Sequence, residues 1–589
     1  MTASTWKKNP NSNIWNCDLN WAPNEQPQTC AIFNSSAITD VNFNSQSEAK
    51  VNSIEFLEDA PSFTFNFSAS TSAALTISGS GVKNHSIKNQ NFIVACETTG
   101  YEAPQLMFIN SASAGDKGVV YTAGPESKGG KGGGVIRFCD TSIAGTAQFF
   151  AWTGAGTPTE PSTVGGEISF SDNSSADNAH FTIYGSLGID GDTFGNVVFH
   201  DHSTASNAIF NNKGGSVPGG DGGNTQFYDN ASAENGQFYN LGGTAYGLVN
   251  NKDKGANGGD VAFDGQSSGK NGYFHNYPAT IDKANGGVTS FNNNRPKVIG
   301  VGASAGNGHY INYGANKTSL CGGGHVEFSA KYGSPTAAEA TIHNYGTQIQ
   351  TKNKSSAGHT IFSISTPTSY FSTAGNATIW NHAGKIAGAI GGYTAFSIYQ
   401  SDSLNSENTI TDKVPTADNA RILNIGSNIK NAGAGYTTFS DNTDAGTAKI
   451  IALSGADGGE GGQINFYDNA TADNASIELN GNGTLNIGDH VNDLTIHSLE
   501  VNKGIISTQL GNDVIALKIN GNFKLNSKVI SFSFWKKDAG GFEFNKTYTI
   551  LKSTTLNSLN VTQFCGNEIC GVEPTFNIIN NTLQVTFYN

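Results

Sequence analysis

Seven times between Gly165 and Phe466 the chain repeats one short phrase: two glycines, three variable residues and a phenylalanine. The copies run Gly165–Phe170, Gly222–Phe227, Gly258–Phe263, Gly286–Phe291, Gly323–Phe328, Gly391–Phe396 and Gly461–Phe466. Around them a looser version of the pattern extends from residue 105 to about residue 480. Self-similarity at a period of roughly 30 residues marks a solenoid, in which each unit buries its apolar face only against its neighbours. A repeat chain has a surface before it has a cleft. Function is therefore sought on a long face, or where the pattern is broken.

Each repeat holds a second strand signal, small-x-apolar-x-Asn, at Ala208–Asn212, Gly236–Asn240, Gly272–Asn276, Gly308–Asn312, Ala340–Asn344, Ala377–Asn381 and Ala420–Asn424. Alternation over four or five residues bounded by Gly, Asn, Asp and Ser is a strand pattern, and no 3.6-residue period competes with it. If the coils stack in parallel at about 4.8 Å, equivalent residues lie on one another. Phe170, Phe199, Phe227, Phe263, Phe291 and Phe328 then form an internal aromatic column, and the asparagines a ladder of bonded amides. Gly214, Gly242, Gly314, Gly346 and Gly426, two residues past ladder asparagines, are expected at corners of positive φ. Two or three strands in a repeat are too few for a propeller blade. The expected fold is all-β: a right-handed parallel β-solenoid with β-rich caps. Residues 1–104 form the N-terminal cap, 105–483 the solenoid and 484–589 the C-terminal cap. Spacing between Phe anchors varies from 27 to 43 residues, and the inserts 243–257, 346–357 and 400–415 are expected as loops on one side.

The formal charge is −14, from 33 Lys and Arg against 47 Asp and Glu, with no basic run. Phosphate recognition needs clustered cations, so nucleic acid is not an expected partner. No run of 18 apolar residues suggests a transmembrane helix. Among seven cysteines, Cys17 with Cys30 and Cys565 with Cys570 lie near the two ends. End-cap disulfides would fit an oxidising compartment, with unpaired structural thiols as the alternative. Zinc spacing is absent.

Trp15–Pro23, reading W-N-C-D-L-N-W-A-P, resembles the Trp/Asn/Pro start of bacterial proteins with autotransporter-associated β-strand repeats. The closing segments Gly540–Phe544, Tyr548–Leu551 and Asn580–Val585 resemble the last passenger coils of autotransporters. The F-x-x-N tetrads at Phe170, Phe227, Phe291, Phe439 and Phe466 are similar to those of polymorphic outer-membrane proteins, without their regular G-G-A-[ILV] partner. The resemblance implies an exported passenger, extracellular or on the bacterial cell surface. Residues 1–30 lack the apolar centre of a signal peptide, so export is expected either by another route or, as the favoured reading, with a signal removed ahead of Met1. The chain also lacks a translocator barrel, either cut away or never present in a stand-alone secreted relative.

Chemistry is sparse. Asp172, Asp201, Asp229, Asp441 and Asp468 recur in one turn, where Asp bonds its own backbone. A catalytic pair would not recur coil after coil. His200 and His202 lack a third ligand, and glycine runs such as Gly219–Gly223 lack the strict nonapeptide of calcium repeats. No cofactor, metal or catalytic residue is expected. Tyr239, His275, His343 and Trp380 precede ladder asparagines, so alternation points them outward. They could bind a glycan or partner by stacking, or pack on one another between coils. The expected function is a non-enzymatic adhesive or structural passenger. Its partners would be host-cell or extracellular-matrix surfaces, glycans, or copies of itself in a filament. The alternative is a carbohydrate-active β-helix enzyme resembling polysaccharide lyases or hydrolases.

Overall fold

The structure, a computed structural model, describes residues 3–43, 48–67, 74–96, 104–126, 133–154, 165–186, 194–249, 251–292, 300–364, 370–398, 413–511, 516–536 and 541–589. The chain divides into two compact units, Met1–Ser290 and Phe291–Asn589. Each is a parallel β-solenoid.

In the first unit the Gly-Gly-x-x-x-Phe phrase builds one face. Gln105–Phe108, Val135–Phe138, Glu167–Phe170, Asn196–Phe199, Asn224–Phe227 and Asp260–Phe263 pair in parallel, each Phe in register with the next. The small-x-apolar-x-Asn phrase builds a second face from Ile209–Asn212, Gln237–Asn240 and Tyr273–Asn276, joined by His180–Ile183 with Ile183 in the Asn position. Single bridges Ser175↔Thr204↔Ser232↔Ser268 close the third side. The second unit repeats this plan. Its Phe face runs through His325–Ala330, His359–Ile364, Tyr393–Ile398, Tyr436–Phe439 and Gln463–Phe466. Its Asn face runs through His309–Asn312, Thr341–Asn344, Thr378–Asn381 and Arg421–Asn424.

Both expected columns are inside. Phe138, Phe170, Phe199, Phe227 and Phe263 stack with centroids 4.6–4.7 Å apart and planes within 8°. A second column, Phe181, Phe210, Phe238 and Phe274, meets it edge to face, as Phe227 does Phe238 at 5.8 Å and 78°. Such pairs contribute about 0.5–1.5 kcal/mol beyond the area they bury. In the second unit Ile342, Ile379, Ile422 and Ile450 take over the second column, all fully buried. The amide ladder links Asn212 to Asn240 and Asn240 to Asn276, each at 2.8 Å. It recurs from Asn312 through Asn344 and Asn381 to Asn424 at 2.8–2.9 Å. Threonines one strand away brace several rungs: Thr394 and Thr437 donate to Asn381 and Asn424 at 3.0 and 2.9 Å.

Glycine serves a different purpose from the one expected. None of Gly214, Gly242, Gly314, Gly346 and Gly426 has positive φ. They are glycine because the coils touch: a Cβ on Gly214 would lie 2.2 Å from the Gly242 carbonyl oxygen. The second glycine of the repeat phrase is as confined, a Cβ on Gly392 falling 2.1 Å from the Asn344 oxygen. Positive φ is carried by aspartate instead, with Asp172, Asp201, Asp229, Asp441 and Asp468 all at 54–57°.

Parallel pairing also runs past both boundaries drawn from the glycine pattern. It begins with Ser4–Trp6 on Cys30–Phe33 and continues through Glu48–Phe56 and Ala74–Asn84. It persists after residue 484 through Thr484–Asn486, Ile505–Leu510, Ile530–Lys536 and Phe564–Gly566. Stacking requires the strand-turn period but not the Gly-Gly phrase. Antiparallel elements mark the ends: Ser4–Trp6 against Trp21–Ala22, and Thr547–Ser553 against Thr582–Thr586. Trp6, Trp15 and Trp21 are buried together there, Trp21 making edge contacts with both at 5.0–5.1 Å. Covering an open strand edge in this way blocks further pairing.

Of the three inserts, 243–257 forms a hairpin, Tyr246–Val249 on Lys252–Gly255, braced where Lys283 Nζ reaches Asp253 at 3.0 Å. The insert 346–357 holds a short 3-10 turn, Lys354–Ser356. Most of 400–415 lies outside the described residues.

Candidate binding surface

The alternation that buries each ladder asparagine turns the preceding residue outward, and the four expected rings lie there in register. In the first unit Tyr239 stacks on His275 at 5.0 Å and 8°. In the second, His343 stacks on Trp380 at 6.0 Å and 13°. The rings therefore pack on one another along the coils, and their edges face outward. The two pairs belong to different units.

The second-unit pair belongs to a larger cluster. His343 Nδ1 lies 3.0 Å from His382 Nε2, a hydrogen bond between two imidazoles. His382 lies face to face with Tyr345 at 4.3 Å, and Tyr345 continues to Tyr313 at 5.9 Å. Tyr345 and His382 were absent from the expected set, although the same alternation carries them: each lies two residues beyond an outward ring. Burial holds both histidines below the ordinary imidazole range. His382 is brought down to about 4 by burial, His343 and Lys385. His343 is lowered by burial and His309, and His275 by burial alone. At neutral pH the cluster is an uncharged aromatic surface with polar edges.

The recurring aspartates form a separate row with a visible task. Asp140 N–H donates to Asp172 Oδ2 at 2.9 Å, and Asp172 N–H to Asp201 at 3.1 Å. Asp201 N–H donates to Asp229 at 3.3 Å, and Asp441 N–H to Asp468 at 3.0 Å. Each carboxylate thus holds the backbone of the preceding coil. His200 stacks on Tyr228 and sits 3.5 Å from Asp229, bracing the same turn. Among the described residues no three His, Cys, Asp or Glu side chains group as a metal site.

The expected end-cap disulfides are not formed. Cys17, Cys30, Cys565 and Cys570 are free thiols. Cys565 Sγ instead lies 3.3 Å from the Ser531 hydroxyl, and Cys570 Sγ accepts from Lys536 at 3.5 Å. Proximity in sequence says little about pairing here, because stacked coils bring together residues about 34 positions apart. Among the described residues no helix is long and apolar enough to cross a membrane.

No family model matches the chain, and no curated protein sequence matches it.

Proposed function

We propose that this chain is a passenger-like, non-enzymatic β-solenoid, secreted or displayed on a bacterial surface, that acts by adhesion through its side faces. The observation that carries the reading is the second-unit ring cluster. Five rings, from Tyr313 to Trp380, stack in one contiguous cluster on the outward side of the Asn face. A row of ring edges with polar atoms suits edge contacts and hydrogen bonds to a partner surface. A non-catalytic role is supported by the aspartate row, whose carboxylates are engaged by backbone N–H groups.

Purified full-length chain should adhere to host-cell or extracellular-matrix preparations, and the double variant His343→Ala/Trp380→Ala should weaken that adhesion about tenfold or more. Unchanged adhesion with an intact fold would exclude this face. Depolymerisation of neutral or acidic polysaccharides by the wild-type chain would replace the reading with the carbohydrate-active one.

A further inference from the structure

We propose that the Phe face of the second unit carries a groove for a short neutral oligosaccharide, built chiefly by Tyr436, Tyr467, Gln463 and Glu460. The groove is separate from the ring cluster on the Asn face. It rests on the adhesive reading only in assuming that the chain works by binding.

The outward side of this face begins with an aromatic column. His325 stacks on His359 at 4.8 Å and 1°, His359 on Tyr393 at 4.8 Å and 2°, and Tyr393 on Tyr436 at 5.1 Å and 10°. There it stops. The residue in register with Tyr436 on the next coil is Gln463, so no further ring follows it in the column. One column further along the strands the side chains are small, Ala395 beside Thr438, before Asn465. Tyr467, two residues past Asn465, raises the opposite wall. The resulting hollow has a volume of about 230 Å³ and reaches the corner where Lys354 and Glu460 stand. Its lining comes from four successive coils, a span of ~14 Å at the usual strand spacing.

The chemistry of the lining selects the occupant. Two phenols, two carboxamides, one lysine and one glutamate give no net charge. Burial raises the Tyr436 and Tyr467 hydroxyls above the ordinary phenol range, so both remain donors. Gln463 is oriented by its 3.4 Å bond to Glu460, and Asn465 by its 3.3 Å bond to the Thr437 carbonyl. Planar amides beside aromatic rings match a hexose, whose C–H face packs on a ring while neighbouring hydroxyls both donate and accept. A peptide added as a strand would need an open sheet edge. The strands beneath this hollow are interior, with both neighbours paired. An acidic glycan would need more than one cation.

The test uses the full chain and a panel of neutral gluco-, manno-, galacto- and N-acetylglucosamine oligosaccharides of three to six units, read by saturation-transfer difference NMR and titration calorimetry. At least one should bind. Gln463→Ala and Tyr467→Ala, with circular dichroism unchanged, should each weaken it about tenfold, and Tyr467→Phe by less. Ile87→Ala, at an exposed position of the other unit that belongs to neither proposed surface, should leave it unchanged. Binding by no member, binding indifferent to Gln463 and Tyr467, or a preference for acidic glycans or peptides would each overturn the proposal. If no saccharide binds yet wild-type chain still adheres to cells, the groove falls and the adhesive reading stands. If a saccharide binds at Tyr467 but no surface is bound, the groove stands and the adhesive reading falls.

Discussion

Asn381 donates its side-chain N–H to Asn424 Oδ1 at 2.8 Å, but Asn424 has no successor: its register partner on the next coil is Ala452. The Asn424 Nδ2 is consequently buried without an acceptor. The ladder therefore has interior members that both donate and accept, and a terminal member that only accepts.

This asymmetry predicts unequal costs. Asn381→Ala removes the acceptor of Asn344 and of Thr394 together with the donor to Asn424. Asn424→Ala removes an acceptor and simultaneously deletes an unmet donor. The first should cost roughly 2–4 kcal/mol and the second about 1–2, on the scale of stranded buried polar groups. Urea midpoints measured for both variants check the order; equal losses would refute the ladder account.

The aspartate turn separates backbone from charge. Asp172 sits at φ 55° and accepts from Asp140 N–H. Asn tolerates that conformation and still accepts, whereas Ala does neither. Asp172→Asn should cost less than about 1 kcal/mol and Asp172→Ala about 1–3. Thermal unfolding of the two variants distinguishes them.

Close packing at the corner predicts a severe response to one methyl group. Gly392→Ala places a Cβ 2.1 Å from the Asn344 carbonyl oxygen, although φ there is ordinary. Backbone faces backbone, so neither side can yield locally. Loss of more than about 3 kcal/mol is expected by chemical denaturation, well beyond the ordinary Gly→Ala effect.

Acid should weaken the second unit. Burial, with His325 beside it, takes His359 down to about 3, and burial with His343 and Lys385 takes His382 to about 4. In the unfolded chain both return to about 6.5. The unfolded state thus binds protons first: stability is complete above about pH 6.5 and declines from there toward the folded values. A loss of roughly 2–3 kcal/mol is expected between pH 7 and 4.5, mostly from His359, since His382 is partly solvated. His359→Gln should flatten the denaturation profile over that range.

Free thiols make a chemical prediction. Cys565 and Cys570 are exposed and unbridged. Native protein kept without reductant should be alkylated at both positions, as read by peptide mass spectrometry. A recovered Cys565–Cys570 bridge would contradict it.

The two internal columns were legible because stacking makes each coil repeat the same choice. Phe at one strand and Asn at the next appear in sequence at the spacing the fold requires. The aspartate row was equally legible, and its recurrence already spoke for a structural task. The glycine corners were misread because sequence shows that a side chain is excluded, not whether φ or a neighbouring carbonyl excludes it. The cap boundaries were drawn from the glycine phrase alone, and Thr484–Asn486 and Ile505–Leu510 stack in parallel without it. At the surface, alternation gave the direction of Tyr239, His275, His343 and Trp380. It could not show that His343 meets His382, because that contact joins different coils across an insert of variable length.

Local pattern, then, was enough to specify an all-β chain of stacked coils with aromatic and amide columns inside. Those features depend on residues that repeat, and repetition is visible along a single line of text. What three dimensions added is everything that depends on distance between coils: the thiols left unpaired, the neutral histidine pair, the terminal Asn424, and the hollow where an aromatic column gives way to Gln463. Each arises where one coil differs from the next, and the consequence of a difference is set by its neighbour in space.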